Sequence, residues 1–285
     1  MPTLLIRYGE IGLKSTSVRR RFENSLVQDI RRKHALAQLP CVITSARGRI
    51  YVDSDDWRRS CELLSRTFGV VSFSPVTRVT SEKDQLTKHV VEFSDPLLPP
   101  GVTFAVRSRR TGNHPYTSQS LAGDLGGALL EAYGGRGIKV KLEDPDVVVF
   151  VEVREKHAYL YSSTFPGPGG MPKGTQGKVL SVLDSANGPA ASWLLMKRGC
   201  TVVACSDDDG LIGEVRAWDA DLKTAPTGED LFSLAKRHDC IGLVLPWMLD
   251  DLAHRSPPKG DLPVFYPLVG MAEAEVRALA ERVKA

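Results

Sequence analysis

The chain is short of cysteine, lacks any long apolar run, and has no His or Cys pairs at metal-ligand spacing. Each shortage excludes a class of protein. No stretch approaches the roughly 18 apolar residues of a membrane helix, so no membrane span is expected. Five cysteines (41, 61, 200, 205 and 240) in 285 residues are too few and odd in number for a secreted disulfide scaffold. They fit reduced thiols in a cytoplasm. The opening Met1-Pro2-Thr3-Leu4-Leu5-Ile6-Arg7 lacks the charged head and long apolar stretch of a secretory signal, so a cytoplasmic location is expected. Cys200 and Cys205 flank one expected strand without a second pair. His114, His157, His238 and His254 show no His-x3-His spacing, so no metal site is expected. Asp207-Asp208-Asp209 reads as a solvated turn.

What is present is a division of charge. Residues 1–180 carry 26 Lys and Arg against 18 Asp and Glu, net +8, and residues 181–285 carry 11 against 16, net −5. A basic front and an acidic back point to a polyanion at the front. The first 50 residues are the most basic, with 10 positive charges against 3 negative.

Periodicity divides the chain into three parts. A strand over 3–8 precedes a helix to about 37, with Val18, Phe22, Leu26 and Ile30 four apart on one face and a run of arginines elsewhere. Strands over 41–45 and 49–53, a helix over 55–67 and a strand over 70–77 complete a βαββαβ order, which is ferredoxin-like. A second segment follows, with helices near 83–93 and from 118 and strands at 103–109, 138–142, 147–153 and 157–163. Residues 166–177 hold five glycines and three prolines and read as a linker. Beyond it, strands near 178–183, 201–205, 241–245 and 263–265 alternate with helices near 189–198, 228–237 and 272–283. That alternation predicts a small doubly wound parallel sheet. The expected domains are 1–78, 79–165 and 178–285.

Three stretches bear on phosphate chemistry. Gly169 to Gly174 has P-loop spacing, but Thr175 stands where Lys belongs and a strand follows instead of a helix. The turn Asp184-Ser185-Ala186-Asn187-Gly188-Pro189 opens at the carboxyl end of the first strand of the third domain. It has one glycine, a proline without an N–H, and a carboxylate where phosphate would sit, so it reads as a plain β–α turn. Arg107-Ser108-Arg109-Arg110-Thr111-Gly112-Asn113-His114 places three guanidinium groups at a strand end ahead of a helix start, and both features suit phosphate oxygens.

The order and spacing of these motifs resemble the tRNA 4-thiouridine synthetase family of sulfurtransferases. Arg7-Tyr8-Gly9-Glu10-Ile11-Gly12-Leu13-Lys14-Ser15 and Ser17-Val18-Arg19-Arg20-Arg21-Phe22 are similar to its opening strand, turn and helix. The arginine stretch at 107–114, Gly126-Gly127 and Asp144-Pro145-Asp146-Val147 resemble its THUMP domain. Gly169-Gly170-Met171-Pro172-Lys173-Gly174-Thr175-Gln176 resembles the stretch before its catalytic domain, and Leu194-Leu195-Met196-Lys197-Arg198-Gly199-Cys200 a helix within that domain.

The departures fall in the third domain. The family's Ser-Gly-Gly-x-Asp-Ser PP-loop coincides with Asp184, Ser185, Ala186, Asn187, Gly188 and Pro189, none of which keeps the family's residue. Pro246-Trp247 replaces a Gly-Glu, and no cysteine follows Cys240 where the family carries a catalytic one. The resemblance therefore implies a ferredoxin-like domain, a THUMP domain and a shortened, altered PP-loop ATP-pyrophosphatase domain without a rhodanese domain. It implies tRNA as partner, held at the acceptor stem and 3′ end. Lys14, Arg19, Arg20, Arg21, Arg107, Arg109, Arg110 and Lys173 are the expected RNA contacts. No catalytic residue, metal or cofactor is expected. ATP with Mg²⁺ enters only under the alternative, an active tRNA sulfurtransferase with an unusual loop. A modification-enzyme partner and a homodimer are compatible with the resemblance.

Overall fold

The computed structural model describes residues 2–9, 15–46 and 48–284. The first elements are β1 (Thr3–Tyr8), α1 (Thr16–Leu36), β2 (Val42–Ala46), β3 (Arg49–Asp53), α2 (Trp57–Ser65) and β4 (Val70–Thr80). This is the expected βαββαβ order. Next come α3 (Lys83–Ser94), β5 (Thr103–Thr111), α4 (Ser118–Tyr133), β6 (Lys139–Val140), β7 (Val147–Arg154), β8 (His157–Tyr161) and β9 (Phe165–Pro166). The third part contains β10 (Lys178–Val182), α5 (Gly188–Lys197), β11 (Thr201–Cys205), α6 (Asp209–Arg216), β12 (Lys223–Ala225), α7 (Leu231–Arg237), β13 (Leu243–Val244), α8 (Leu249–His254), β14 (Val264–Phe265) and α9 (Glu273–Lys284).

The chain forms two compact units. One gathers residues 74–165 with the chain up to residue 5 and residues 51–57; the other gathers 6–50, 58–73 and the chain from 166 onward. In the first, strands lie in the order β4-β8-β7-β5-β6. β7 and β8 are antiparallel, whereas β5 runs parallel to β7 from Phe104↔Val147 to Thr111↔Arg154. One face of this sheet is apolar because every second residue is: Phe104, Val149, Val151, Val153, Ala158 and Leu160. It buries Leu86 and Val90 of α3 and Leu121, Leu125 and Leu129 of α4, whose four-residue spacing aligns them on one stripe. Each fully buried leucine contributes about 1.5–3 kcal/mol. Thr117 and Ser120 close the start of α4 as a reciprocal capping box.

In the second unit five parallel strands lie in the order β12-β11-β10-β13-β14. Numbered along the chain that order is 3-2-1-4-5. Alternation along β10 sends Val179 into the core beneath α5, α6 and α9 and Leu180 into the core beneath α7, so the sheet is covered on both faces. α6 and β12 were not legible in the sequence. The acidic triplet begins α6: Asp208 accepts from the N–H groups of Gly210 (2.8 Å) and Leu211 (3.1 Å) as an N-cap, and Asp207 accepts from Thr227. The expected solvated turn is therefore a helix start.

Residues 166–177 are hydrogen-bonded along both sides. Gly167 and Gly169 donate to Val71 O (2.9 Å) and Val70 O (2.8 Å), and Gly69 donates to Gly169 O (2.8 Å). Further on, Met171 donates to Lys197 O (2.9 Å) and Gln176 to Gly199 O (3.1 Å). Gly170 has φ +75°, and a Cβ there would lie 2.2 Å from Lys197 O, so only glycine permits this approach. Beside the strap, Phe68 packs against Trp193 and Trp218, both at 5.5 Å between ring centroids.

α1 buries Phe22, Leu26 and Ile30, and one turn later Lys33 and His34. The Ile30 carbonyl only accepts, so His34 Nδ1 donates to it (2.8 Å), and Nε2 lies within hydrogen-bond distance of Ser60 Oγ (3.2 Å). Burial holds the His34 pKa below the ordinary 6.5. The unfolded chain then binds the proton more readily, so the stability His34 contributes is complete above about pH 6.5 and is lost as pH falls below it. The urea midpoint should accordingly fall between pH 6.5 and 5 more steeply in the native protein than in His34→Gln. Parallel pH profiles for the two proteins would refute this assignment.

Candidate nucleic-acid interface

Two basic segments sit on different scaffolds. In the second unit, α1 turns Arg20 and Arg21 to solvent, with Arg19 half-buried. Arg21 lies over its neighbour Phe22, 5.4 Å from the ring centroid. Glu23, on the same helix, accepts from Tyr8 Oη (3.0 Å) and from Ser45 Oγ. Burial, then the Glu23 carboxylate, pushes the Tyr8 hydroxyl up to about 12. Lys14 lies outside the described residues.

In the first unit, β5 carries the other three arginines, and its alternation separates them. Arg107 and Arg109 share one face, in register with Phe150 and Glu152. Arg110 points to the opposite face, in register with Val153 beside α4. Arg107 donates to Leu142 O (3.3 Å) and Arg110 to Gly112 O (3.1 Å), while all three side chains remain exposed. Near Arg110 is a recess of about 830 Å³ lined by Ser81, Lys83, His114, Tyr116, Glu155 and Lys156. His114 stacks on Tyr116 at 5.4 Å, and Tyr116 Oη donates to Ser81 O (2.9 Å). Lys83 is paired with Asp124 (2.7 Å). Sequence reading missed Lys156; its position in the two-residue turn between β7 and β8 was the available signal.

Lys173 points inward. Its Nζ donates to Asp219 Oδ1 at 2.6 Å, with the lysine side chain 22% and the aspartate side chain 3% exposed. Nearby, burial raises the Asp29 pKa and lowers that of Lys33, whose Nζ donates to Arg66 O. On the surface beside them Arg32 pairs with Asp221 (2.8 Å).

The loop from 184 to 187 joins β10 to α5 next to the point where strand order reverses, between β10 and β13. Asp184, Ser185 and Ala186 are exposed. The Gly188 N–H turns back to Ser185 O (2.9 Å), and the Ala191 N–H to Asn187 O (3.0 Å). A Cβ on Gly188 would lie 2.8 Å from Leu183 Cα, so this glycine serves the turn's own packing. Pro189 supplies no donor. These residues do not fit a phosphate loop, which needs glycine amides facing the anion. Across the reversal Trp247 packs on Tyr266 (5.6 Å), with Arg255 over Trp247 (5.6 Å).

All five thiols are unpaired; Cys200, Cys205 and Cys240 are buried, and burial pushes Cys240 up to about 11. Burial raises the pKa of the other four as well, which disfavours the thiolate in each. Among the described residues no group of three or more His, Cys, Asp or Glu is placed to hold a metal, and no helix is long and apolar enough to cross a membrane.

A ferredoxin-like domain followed by a parallel and antiparallel sheet carrying exposed arginines defines a THUMP-type protein. Comparison with known families gives the same class: residues 3–74 match the ThiI ferredoxin-like domain and residues 81–163 the THUMP domain. Two relatives named probable tRNA sulfurtransferase come from Methanobrevibacter smithii and Methanothermobacter thermautotrophicus. They are 39% and 40% identical over 212 residues, which is 72% of this chain and 54% and 52% of theirs. The chain is thus similar to the tRNA sulfurtransferases over a ThiI ferredoxin-like domain and a THUMP domain, and it spans about half the length of these curated relatives. Among solved structures, PH1313 from Pyrococcus horikoshii Ot3 is 25% identical with a TM-score of 0.80, over 100% of both chains. A 4-thiouridine synthetase solved as an RNA complex with bound ATP has a TM-score of 0.78 at 19% identity. That match covers 99% of this chain and 85% of the other and shows a shared fold.

Lys173 and Asp219 form a partly buried pair, and removing one partner leaves the other charge uncompensated. Lys173→Ala should therefore lower stability by about 3 kcal/mol in urea unfolding, with RNA affinity measured on the folded fraction unchanged. An affinity loss without a stability loss would place Lys173 on the RNA instead.

Proposed function

We propose that this chain is a tRNA-binding protein of tRNA modification, held to RNA by its ferredoxin-like and THUMP domains, whose third domain does not adenylate. The observation that carries this reading is the contrast between the two halves. The front presents exposed guanidinium groups on α1 and β5, and the sequence to residue 180 is net +8. The 184–189 loop has a single glycine committed to its own turn, an exposed Asp184, and Pro189 at the helix start. Arg19, Arg20, Arg21, Arg107, Arg109 and Arg110, together with Lys14, contact phosphate in this reading. The acceptor stem and 3′ end of tRNA are the proposed target. The protein acts in the cytoplasm as a binding or accessory subunit for a modification enzyme.

One observation favours a second reading. The 3-2-1-4-5 order reverses between β10 and β13, the position at which doubly wound sheets bind ligands. An active tRNA sulfurtransferase would use ATP and Mg²⁺ there. Against it, like charges about 4 Å apart repel by roughly 1–4 kcal/mol at effective dielectrics of 80 to 20, so Asp184 opposes a phosphate.

Two measurements test the proposal. Affinity for tRNA should fall with salt at a log–log slope of several units, at about 0.7–0.9 per phosphate neutralised, and Arg109→Glu/Arg110→Glu should weaken it at least tenfold with the fold intact. A flat salt response would sink the RNA reading. Calorimetry with ATP and Mg²⁺ should show no saturation below about millimolar, where a micromolar site is worth about 8 kcal/mol. Micromolar ATP binding would instead revive the enzyme.

A further inference from the structure

We infer that the recess between the loops after β13 and β14 is a docking groove for a basic amphipathic helix of a partner protein. This rests on the accessory-subunit reading and names the site on the third domain that such a partner would use. Topology builds the groove. β13 and β14 are adjacent and parallel, so the chain leaves both at the same edge of the sheet. After β13 it runs through Met248 into α8, and after β14 through Met271 into α9. The two methionines and Leu249 line a recess of about 450 Å³. Met248 and Met271 pack against the core beneath α5, α6 and α9 yet stay partly open. Leu249, the first residue of α8, is 63% exposed.

Floor, rim and field together select the occupant. Methionine is unbranched and polarizable, so a methionine floor adapts to aliphatic side chains of differing shape. The rim is acidic. Asp250, Asp251 and Glu273 border the apolar floor, and among the described residues no lysine or arginine lines the recess. Asp251 is engaged within the chain, accepting from the Met248 N–H (2.9 Å) and pairing with Arg255 (3.3 Å). Glu273 meets Arg277 only at 3.7 Å, with the side chains 77% and 78% exposed, so water screens that pair. Asp250 and Glu273 therefore keep their charge for a partner, within a segment, residues 181–285, that is net −5. Such a field repels RNA and anionic lipid and draws in cationic protein. A small ligand is largely enclosed by its site, whereas Leu249 stands out into solvent. A helix with leucine-like residues at i, i+3, i+4 and i+7 would cover Leu249 and both methionines. Lysines flanking that stripe would meet the two carboxylates.

The probe is a fluorescein-labelled helical peptide of leucine and lysine, with its leucines on one stripe, followed by anisotropy as the full chain is added. It should bind saturably, and more weakly as salt rises. A leucine–glutamate peptide of the same pattern should not bind. Leu249→Ser, which changes no charge, and Asp250→Lys should each weaken binding by about fivefold or more. Thermal unfolding and tRNA affinity should be unchanged in both. Asp239→Lys makes the same change in charge ahead of β13, at a side chain 92% exposed, and should stay within about twofold of the native protein. If both groove substitutions bind the peptide as the native chain does, or the glutamate peptide binds equally well, the inference is overturned. It is overturned too if the native chain self-associates and Leu249→Ser makes it monomeric, since a second copy then fills the groove. Steep, salt-dependent tRNA binding without any peptide binding would overturn this inference alone and leave the RNA reading standing. A native chain that binds no tRNA would remove that reading and the role of the groove with it.

Discussion

The close backbone approach at residues 167–177 is the constraint on which the second unit depends. A strap without side chains at Gly167 and Gly170 lies against Val70 and Lys197, where a Cβ would come within 2.3 Å and 2.2 Å of their carbonyl oxygens. Its N–H groups therefore reach carbonyls on both sides, at Val70, Val71, Lys197 and Gly199. With the strap in place, Phe68 meets Trp193 and Trp218, and Lys173 meets Asp219. These contacts bury apolar area and a charged pair together. The order of causes is steric first, because the packing follows only where glycine lets the backbones touch.

Period-two alternation in β5 has the same force in the first unit. Three arginines within four residues read as one cluster in the sequence. The strand divides them, sending Arg107 and Arg109 to the face with Glu152 and Arg154 and Arg110 to the face with α4. Each group then acquires its own neighbours. On one side these are aromatic rings and other cations; on the other, the recess of His114, Tyr116 and Lys156.

What was legible in the sequence follows from which interactions are local. α1 and α4 could be read because their apolar residues recur every four positions, and α4 also has its polar cap beside it. β7 could be read because it is apolar almost throughout. α6 could not, since its helix signal is one capping aspartate in a triplet that looks solvated, and only Gly210 and Leu211 reveal its role. The strap at 166–177 was read as a linker because glycine and proline usually mark free chain, and its partners at Val70 and Lys197 are distant in sequence. Lys173 carried the right charge for RNA, but its fate is set by Asp219, 46 residues away.

The same separation of local from distant effects bears on the third domain. A parallel sheet in 3-2-1-4-5 order positions a crevice by topology alone, whatever residues line it. Whether an anion stays there depends on amides and charge. In this chain the helix after β10 begins Gly188-Pro189, the preceding turn carries Asp184, and residues 181–285 are net −5. A helix start attracts anions through its unpaired N–H groups and its dipole. Proline removes one of those donors, and the surrounding negative field works against the dipole. Fold and ligand chemistry are thus separable here: the sheet order rests on Val179, Leu180, Val203 and Leu243, buried on both of its faces, while Asp184 and Pro189 at its carboxyl edge bring a negative charge and a missing N–H donor that act against an anion.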